Sequence, residues 1–201
     1  MGKIKHTKNE LKAQRDALQR YERYLPTLML KKQQLQAEVR RVEHEEQALR
    51  QRQQAVRDEQ DAWVALFAEP FDFPAHLRIK AVRRSEGNIA GVVIPVLDEL
   101  VFDRDWPDPA ASPAWVDAGL RALEELLRLE MEREIVAEQR RRLEQELLVT
   151  SQRVNLFEKI MIPQCRDAIR VIRIFLGDQQ TAAVARAKIA KGKSVEKVRS
   201  A

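Results

Sequence analysis

The side chains of this sequence with the capacity for catalysis or metal binding are three histidines, one cysteine and many carboxylates. Nucleophilic chemistry needs a thiolate beside a base. Cys165 has no histidine at helical spacing, so its expected role is a small buried side chain. His6, His44 and His76 are scattered, and no Cys/His cluster has the spacing of metal ligands. His44 lies among Glu43, Glu45 and Glu46, a pattern that reads as a solvated, charged helix face. With carboxylates throughout the chain, no pair stands out for acid–base work. Gly87 and Gly91 belong neither to G-x-x-x-x-G-K followed by Ser or Thr nor to G-x-G-x-x-G, so they read as turn and close-packing glycines. No cofactor and no metal are expected, and a catalytic role is not.

The elements that carry these residues are helical for most of the chain. Charged residues make up 33% and aromatics 5%, with 6 glycines and 8 prolines in 201 residues, a balance suited to long helices rather than a compact globule. Residues 8–67 read as one helix. Leu28, Leu35, Val42, Leu49, Val56 and Trp63 recur every seven residues. A second row runs Leu11, Leu18, Leu25, Lys32, Val39, Glu46, Gln53 and Gln60, giving the three-and-four spacing of a coiled-coil seam. So thin an apolar stripe needs a partner along its length. The C-terminal half supplies one in Leu143, Leu147, Thr150, Val154, Phe157, Met161, Gln164, Ala168, Val171 and Phe175. That helix is expected from about Trp115 to about Lys191. Arms of similar length, roughly 90–110 Å at ~1.5 Å per residue, predict antiparallel pairing. Pro26 and Pro163 read as bends within continuous helices, since the heptad rows cross both. Polar seam positions weaken the pair or face another subunit; Glu46, Gln53 and Gln60 are the expected partner-subunit face.

The middle of the chain breaks this pattern. It holds Pro70, Pro74, Pro95, Pro107, Pro109 and Pro113 with Phe71, Phe73 and Trp106. Ile79–Arg84 reads as a strand, Ser85-Glu86-Gly87-Asn88 as a turn and Ile89–Val96 as a second strand, together a β-hairpin. Asp103–Pro109 reads as a loop, and Ser112-Pro113 can open the second long helix. The predicted fold is mainly α: a long antiparallel two-helix coiled coil with a small β-hairpin-containing domain at the bend. The divisions are 1–67, an N-terminal coiled-coil helix; 68–114, the bend domain; and 115–201, a C-terminal coiled-coil helix and basic tail.

Charge is unevenly spread. Residues 1–24 carry seven Lys/Arg against three Asp/Glu and residues 186–201 six against one, whereas residues 61–130 carry seven against thirteen. A folded-back chain therefore brings two basic ends together. The tail Arg186–Lys193 can contact an acidic protein surface or nucleic acid, although it lacks interleaved aromatics for base stacking. A single cysteine excludes an internal disulfide and fits a reducing, cytoplasmic setting. No apolar run reaches the ~18 residues of a membrane span. The basic start lacks an apolar signal region, and His6 stands where myristoylation wants Ser or Thr.

Three segments resemble a known family. Thr7-Lys8-Asn9-Glu10-Leu11, with Leu25–Leu35 downstream, is similar to a T-K-x-x-L start and an L-L-K-x-K-x-x-L stretch. Asn88–Val96 resembles an N-x-A-G-V-x-x-P hairpin segment, and Arg153–Pro163 an R-V-N-A-L-E segment ending in I-P. Together and in this order they resemble the D subunit of the rotary V-type/A-type ATPases, the central-stalk shaft.

The resemblance implies a rotor that couples ATP hydrolysis or synthesis to ion transport without binding nucleotide. Its termini would reach into a hexamer of catalytic and non-catalytic A and B subunits. A small stalk component, the F subunit, would pack on the shaft, and the bend domain would face the membrane ring through a socket subunit. The protein would be cytoplasmic and peripheral, with no direct contact with nucleic acid and no membrane insertion. Within that frame Lys3, Lys5, Lys8, Lys12, Arg186, Lys188 and Lys191 form the expected hexamer-facing tip. Ile89, Val92, Ile94 and Val96 form the bend hairpin at the drive end. The residues alone also allow a free coiled-coil adaptor or a nucleic-acid-associated protein.

Overall fold

The structure is a computed structural model that describes residues 5–61, 71–108 and 112–199, with side chains through 193. Helix α1 spans Lys8–Asp61 and continues through Pro26. The one-turn helix α2, Phe73–His76, leads into strands β1, Leu77–Ile89, and β2, Val92–Arg104. Helix α3, Val116–Leu156, passes through a π-helical turn, Phe157–Met161, into helix α4, Ile162–Arg199. This is a mainly α fold, a long helix pair with a small antiparallel hairpin. The last predicted turns of the N-terminal helix, residues 62–67 with Trp63 of the heptad row, lie outside the described residues, as do Pro70, Pro109 and Lys3.

Two compact units are present, each drawing on both halves of the chain: residues 31–149, and residues 1–30 with 150–201. In the first, α1 pairs antiparallel with α3, because the residues facing α1 fall in number as α1 advances. Lys31 Nζ meets Glu146 at 2.7 Å, Glu46 meets Arg140 at 3.0 Å and Gln53 meets Glu130 at 2.8 Å. Leu35, Val39, Val42 and Leu49 of α1 bury their side chains with Leu129, Val136 and Leu143 of α3. The predicted heptad rows thus form the seam, and the polar members Glu46 and Gln53 are buried in it as well.

The hairpin occupies another side of the same unit. Its turn is not at Ser85–Asn88 as expected but at Ala90-Gly91, where φ is +51° and +82°. Both turn residues take the left-handed backbone that a two-residue hairpin loop matched to strand twist requires, which glycine adopts without strain. The Asn88 side chain fixes the turn by accepting from the Gly91 N–H at 3.0 Å. Gly87 sits inside the ladder, opposite Ile94. A Cβ there would lie 3.0 Å from Val96 Cγ2, so this glycine serves close packing. Thirteen residues per strand at ~3.3 Å give a hairpin about 43 Å long. It lies back along the helices. Near the turn, Ile94 joins the α1/α3 core. At its base, Leu77 and Phe102 bury against Trp115, Val116 and Leu120. Gln139 donates to Pro95 O at 2.7 Å and Arg142 to Val93 O at 3.2 Å, satisfying carbonyls of β2 with α3 side chains. The free edge of β1 carries Arg78, Lys80, Arg83 and Arg84, and register shifts interrupt the ladder at 79/81 and 83/84. Charge and bulges protect an edge against unwanted pairing.

In the second unit α1 and the C-terminal helices again run antiparallel, with Tyr21 against Phe157, Glu22 against Arg166 and His6 against Phe175. Here the seam departs from expectation. Thr150, Val154 and Ala168 are buried as predicted, but beyond the π-turn the other buried residues are Ile162, Cys165, Ile169 and Ile172, while Gln164, Val171 and Phe175 are exposed. A π-turn holds an extra residue relative to an α-turn, so the stripe is displaced by one position downstream of it. Pro163 explains the location: its ring conflicts with the carbonyl four residues back and it has no N–H to offer.

Candidate functional site

Each residue with chemical capacity is engaged in local structure or lies on an open face. His6 packs on the Phe175 ring at 4.8 Å, His44 is exposed, and His76 Nδ1 lies 2.7 Å from Asp105 O while stacking on Phe71. Cys165 is buried, and loss of hydration pushes its thiol pKa up, which favours the unreactive protonated form. Among the described residues no group of three His, Cys, Asp or Glu is placed to hold a metal. No helix among them is long and apolar enough to cross a membrane.

Two residues of the expected partner face, Glu46 and Gln53, are engaged within the chain. The Glu46 carboxylate, 7% exposed, is held by Arg50 at 2.5 Å and Arg140 at 3.0 Å. One heptad further on, Gln53 Nε2 donates to Glu130, which also accepts from Arg133. Those donors hold the Glu130 carboxyl below its ordinary pKa, Arg133 first and Gln53 second. Gln60 is half-buried near the end of α1. The heptad rows signal burial at these positions; the α3 residues that meet Glu46 and Gln53, Arg140 and Glu130, have no periodic signature, and the buried Gln60 Oε1 has no hydrogen-bond partner among the described residues.

The hairpin residues are likewise inward or partly covered. Ile94 is 4% exposed, Ile89 and Val92 pack against the α1/α3 cluster, and Val96 is half-buried; Val93 is the member of this stretch that faces out, at 45%. Folding the hairpin back onto the helices places Ile89, Val92 and Ile94 against the α1/α3 core.

The basic residues are exposed: Lys5, Lys8 and Lys12 at the start of α1, and Arg186, Lys188 and Lys191 on α4. They do not fall at one level. His6 meets Phe175, and Arg186 lies eleven residues further on, about 16 Å along the helix axis. Residues 177–193 of α4 are exposed on every side. A surface not foreseen from the sequence lies between α1 and α4, a cavity of about 510 Å³ with Arg15, Arg166, Arg170 and Arg173 around it. Arginines at 166, 170 and 173 share one helix face, and that spacing was the available signal.

These features define a class: an antiparallel helical coiled coil with an added hairpin, rich in surface charge, whose interior holds packing residues and ion pairs. The comparisons with known proteins agree. The family model for the D subunit of ATP synthase matches residues 10–192. The V-type ATP synthase D subunit of Borreliella burgdorferi is 44% identical over 200 residues, covering 100% of this chain and 99% of the relative. Those of Chlamydia caviae and Chlamydia felis are 35% and 36% identical over 195 residues, each covering 96% of this chain and 94% of the relative. The chain belongs to the D-subunit family of the ATP synthases.

Proposed function

We propose that the chain is the central-stalk rotor of a V-type ATP synthase, a non-catalytic shaft that carries torque between a catalytic ring and an ion-translocating membrane ring. The observation that carries this reading is the antiparallel pairing of α1 with the C-terminal helices in both units of a family member. A shaft must resist twisting, and two helices locked side by side do so better than one. Bonds between helices, such as Lys31–Glu146, Gln53–Glu130 and Glu22–Arg166, oppose sliding. The outer faces carry ion pairs that are individually weak, ~0–1 kcal/mol, which suits a body turning inside a sleeve.

In this reading Lys3, Lys5, Lys8 and Lys12, with Arg186, Lys188 and Lys191, meet acidic patches on a ring of A and B subunits. A small F subunit lies along the shaft, and a socket subunit connects it to the membrane, so the chain is cytoplasmic and peripheral through its complex. Reconstitution tests it. The chain should co-purify with the ring and the small stalk component, hydrolyse no ATP alone, and be required for ATP-driven ion uptake into vesicles. A chain that ignored these components in a pull-down, or complexes that pumped ions without it, would overturn the reading.

A further inference from the structure

The C-terminal arm carries two apolar stripes, although one seam with α1 needs only one. The stripe in the seam is Ile162, Cys165, Ala168, Ile169 and Ile172, all buried. Beside it runs the continuation of the heptad row, Met161, Gln164, Ala168, Val171 and Phe175. Val171 and Phe175 of that row stand 43% and 39% exposed, where contact of large apolar side chains with water is unfavourable. The π-turn Phe157–Met161 decides which stripe is buried. Its ladder closes from Ile162 N–H to Phe157 O and holds one residue more than an α-turn. Returned to α geometry, the same residues would turn everything from Pro163 onward by about 100° and bring Gln164, Val171 and Phe175 onto α1. Little opposes that turn. Pro163 has no N–H to lose from either ladder. Ala168 lines both stripes and has no bulk to pass. The ion pair Glu22–Arg166, which ties α1 to α4, is exposed and therefore weak. The rotated seam would bury Gln164 in place of Cys165, and desolvating that amide is unfavourable, so the observed register is the resting one.

We propose that the π-turn is a two-register joint: the arm beyond Pro163 exchanges between the Cys165–Ile169–Ile172 stripe and the Gln164–Val171–Phe175 stripe by converting the π-turn to an α-turn and back, without unfolding. Two packings of one sequence that differ by a few side chains make a bistable element, and π-bulges are frequent at functional positions of helices. In a shaft this exchange is one discrete step of rotation between the arms. It is measurable on the chain alone, so its failure and that of the shaft reading are separable. Cys165, the single cysteine, reports it. In the observed register the thiol is buried and loss of hydration raises its pKa; in the rotated one it leaves the seam and meets water.

The test follows the rate at which a neutral maleimide labels Cys165 in the full chain, at urea concentrations below the unfolding transition, with the unfolded chain giving the intrinsic rate. The unaltered chain should label at least about tenfold faster than global unfolding permits and respond little to urea, as a local opening does. Val171→Glu keeps an exposed position exposed in the resting register but buries a charge in the rotated one, so it should slow labelling about tenfold or more. Deleting Ile160 removes the extra residue of the π-turn and should slow labelling likewise. Ile172→Gln weakens the resting seam alone and should speed labelling by a similar factor. Circular dichroism on each variant confirms that the helices are retained, and if the deletion does not fold, Val171→Glu decides. Labelling of Cys165 only as fast as the chain unfolds would overturn the inference. So would an unchanged rate in Val171→Glu, which marks fraying of the arm rather than rotation.

Discussion

Glu46 is the residue at which the seam departs most from an apolar coiled coil. A carboxylate buried between two helices is tolerated only with its charge compensated, and here Arg50 from its own helix and Arg140 from the facing one supply that. Arg140→Ala should therefore lower stability by about 1–3 kcal/mol, because a buried acceptor loses a charged partner. Replacing the pair together, Glu46→Leu/Arg140→Leu, should be nearly neutral or stabilising, since apolar side chains of similar volume remove the need for compensation. Urea unfolding of the two variants tests the contrast, and equal losses would contradict it. Gly91 matters for a different reason. Its φ of +82° admits glycine without strain, so Gly91→Val should cost on the order of 1–2 kcal/mol by the same unfolding measurement.

At the scale of elements, the π-turn Phe157–Met161 reconciles two seams. Upstream the buried positions include Leu143, Thr150 and Val154; downstream they include Cys165, Ile169 and Ile172. Had the helix stayed regular, the downstream set would fall one residue earlier, which is where the heptad rows put it. Deleting Ile160, an exposed member of the π-turn, should convert it to an α-turn and leave Cys165 and Ile172 facing α1, with a small change in melting temperature. Deleting Asp167 instead should rotate everything after it by about 100°, expose the Ile172 side chain and lower stability by at least about 2 kcal/mol. Thermal melts followed by circular dichroism distinguish the two deletions. Loss of stability as large for Ile160 as for Asp167 would contradict the π-turn account.

The same element shows where the sequence was legible. On α1 the heptad rows named every buried residue from Leu35 to Gln53, because an uninterrupted α-helix keeps its period. Past Pro163 they did not, since one added residue leaves no periodic trace. The hairpin was legible as two strands but not in its turn: Gly87-Asn88 is a strong local signal, yet packing of Gly87 against Val96 and the paired positive φ values at Ala90 and Gly91 decided the register. That the hairpin lies back on α3, and that arginines gather across the α1–α4 cavity, are tertiary facts with only weak marks in the sequence.

For the molecule as a whole, acid stability follows from its ion pairs. Hydrogen bonds from Arg104 hold the Glu124 carboxyl below its ordinary pKa, and those from Arg142 and Arg141 do the same for Glu138. A carboxylate with a lowered folded pKa contributes stability that is present above the ordinary value of 4.5 and is lost as pH falls through the folded value. The melting temperature should accordingly be flat near neutrality and fall below about pH 4.5, and Glu124→Gln should reduce that slope. Melting temperatures recorded against pH check both statements.

Torque transmission is the claim on which the molecular account turns. A bead fixed through a cysteine introduced at Lys80, an exposed position on β1, reports it in the assembled complex with the catalytic ring immobilised. On addition of ATP the bead should turn continuously in one direction. A bead that stayed still while the same complexes hydrolysed ATP would contradict the assignment of this chain as the rotor.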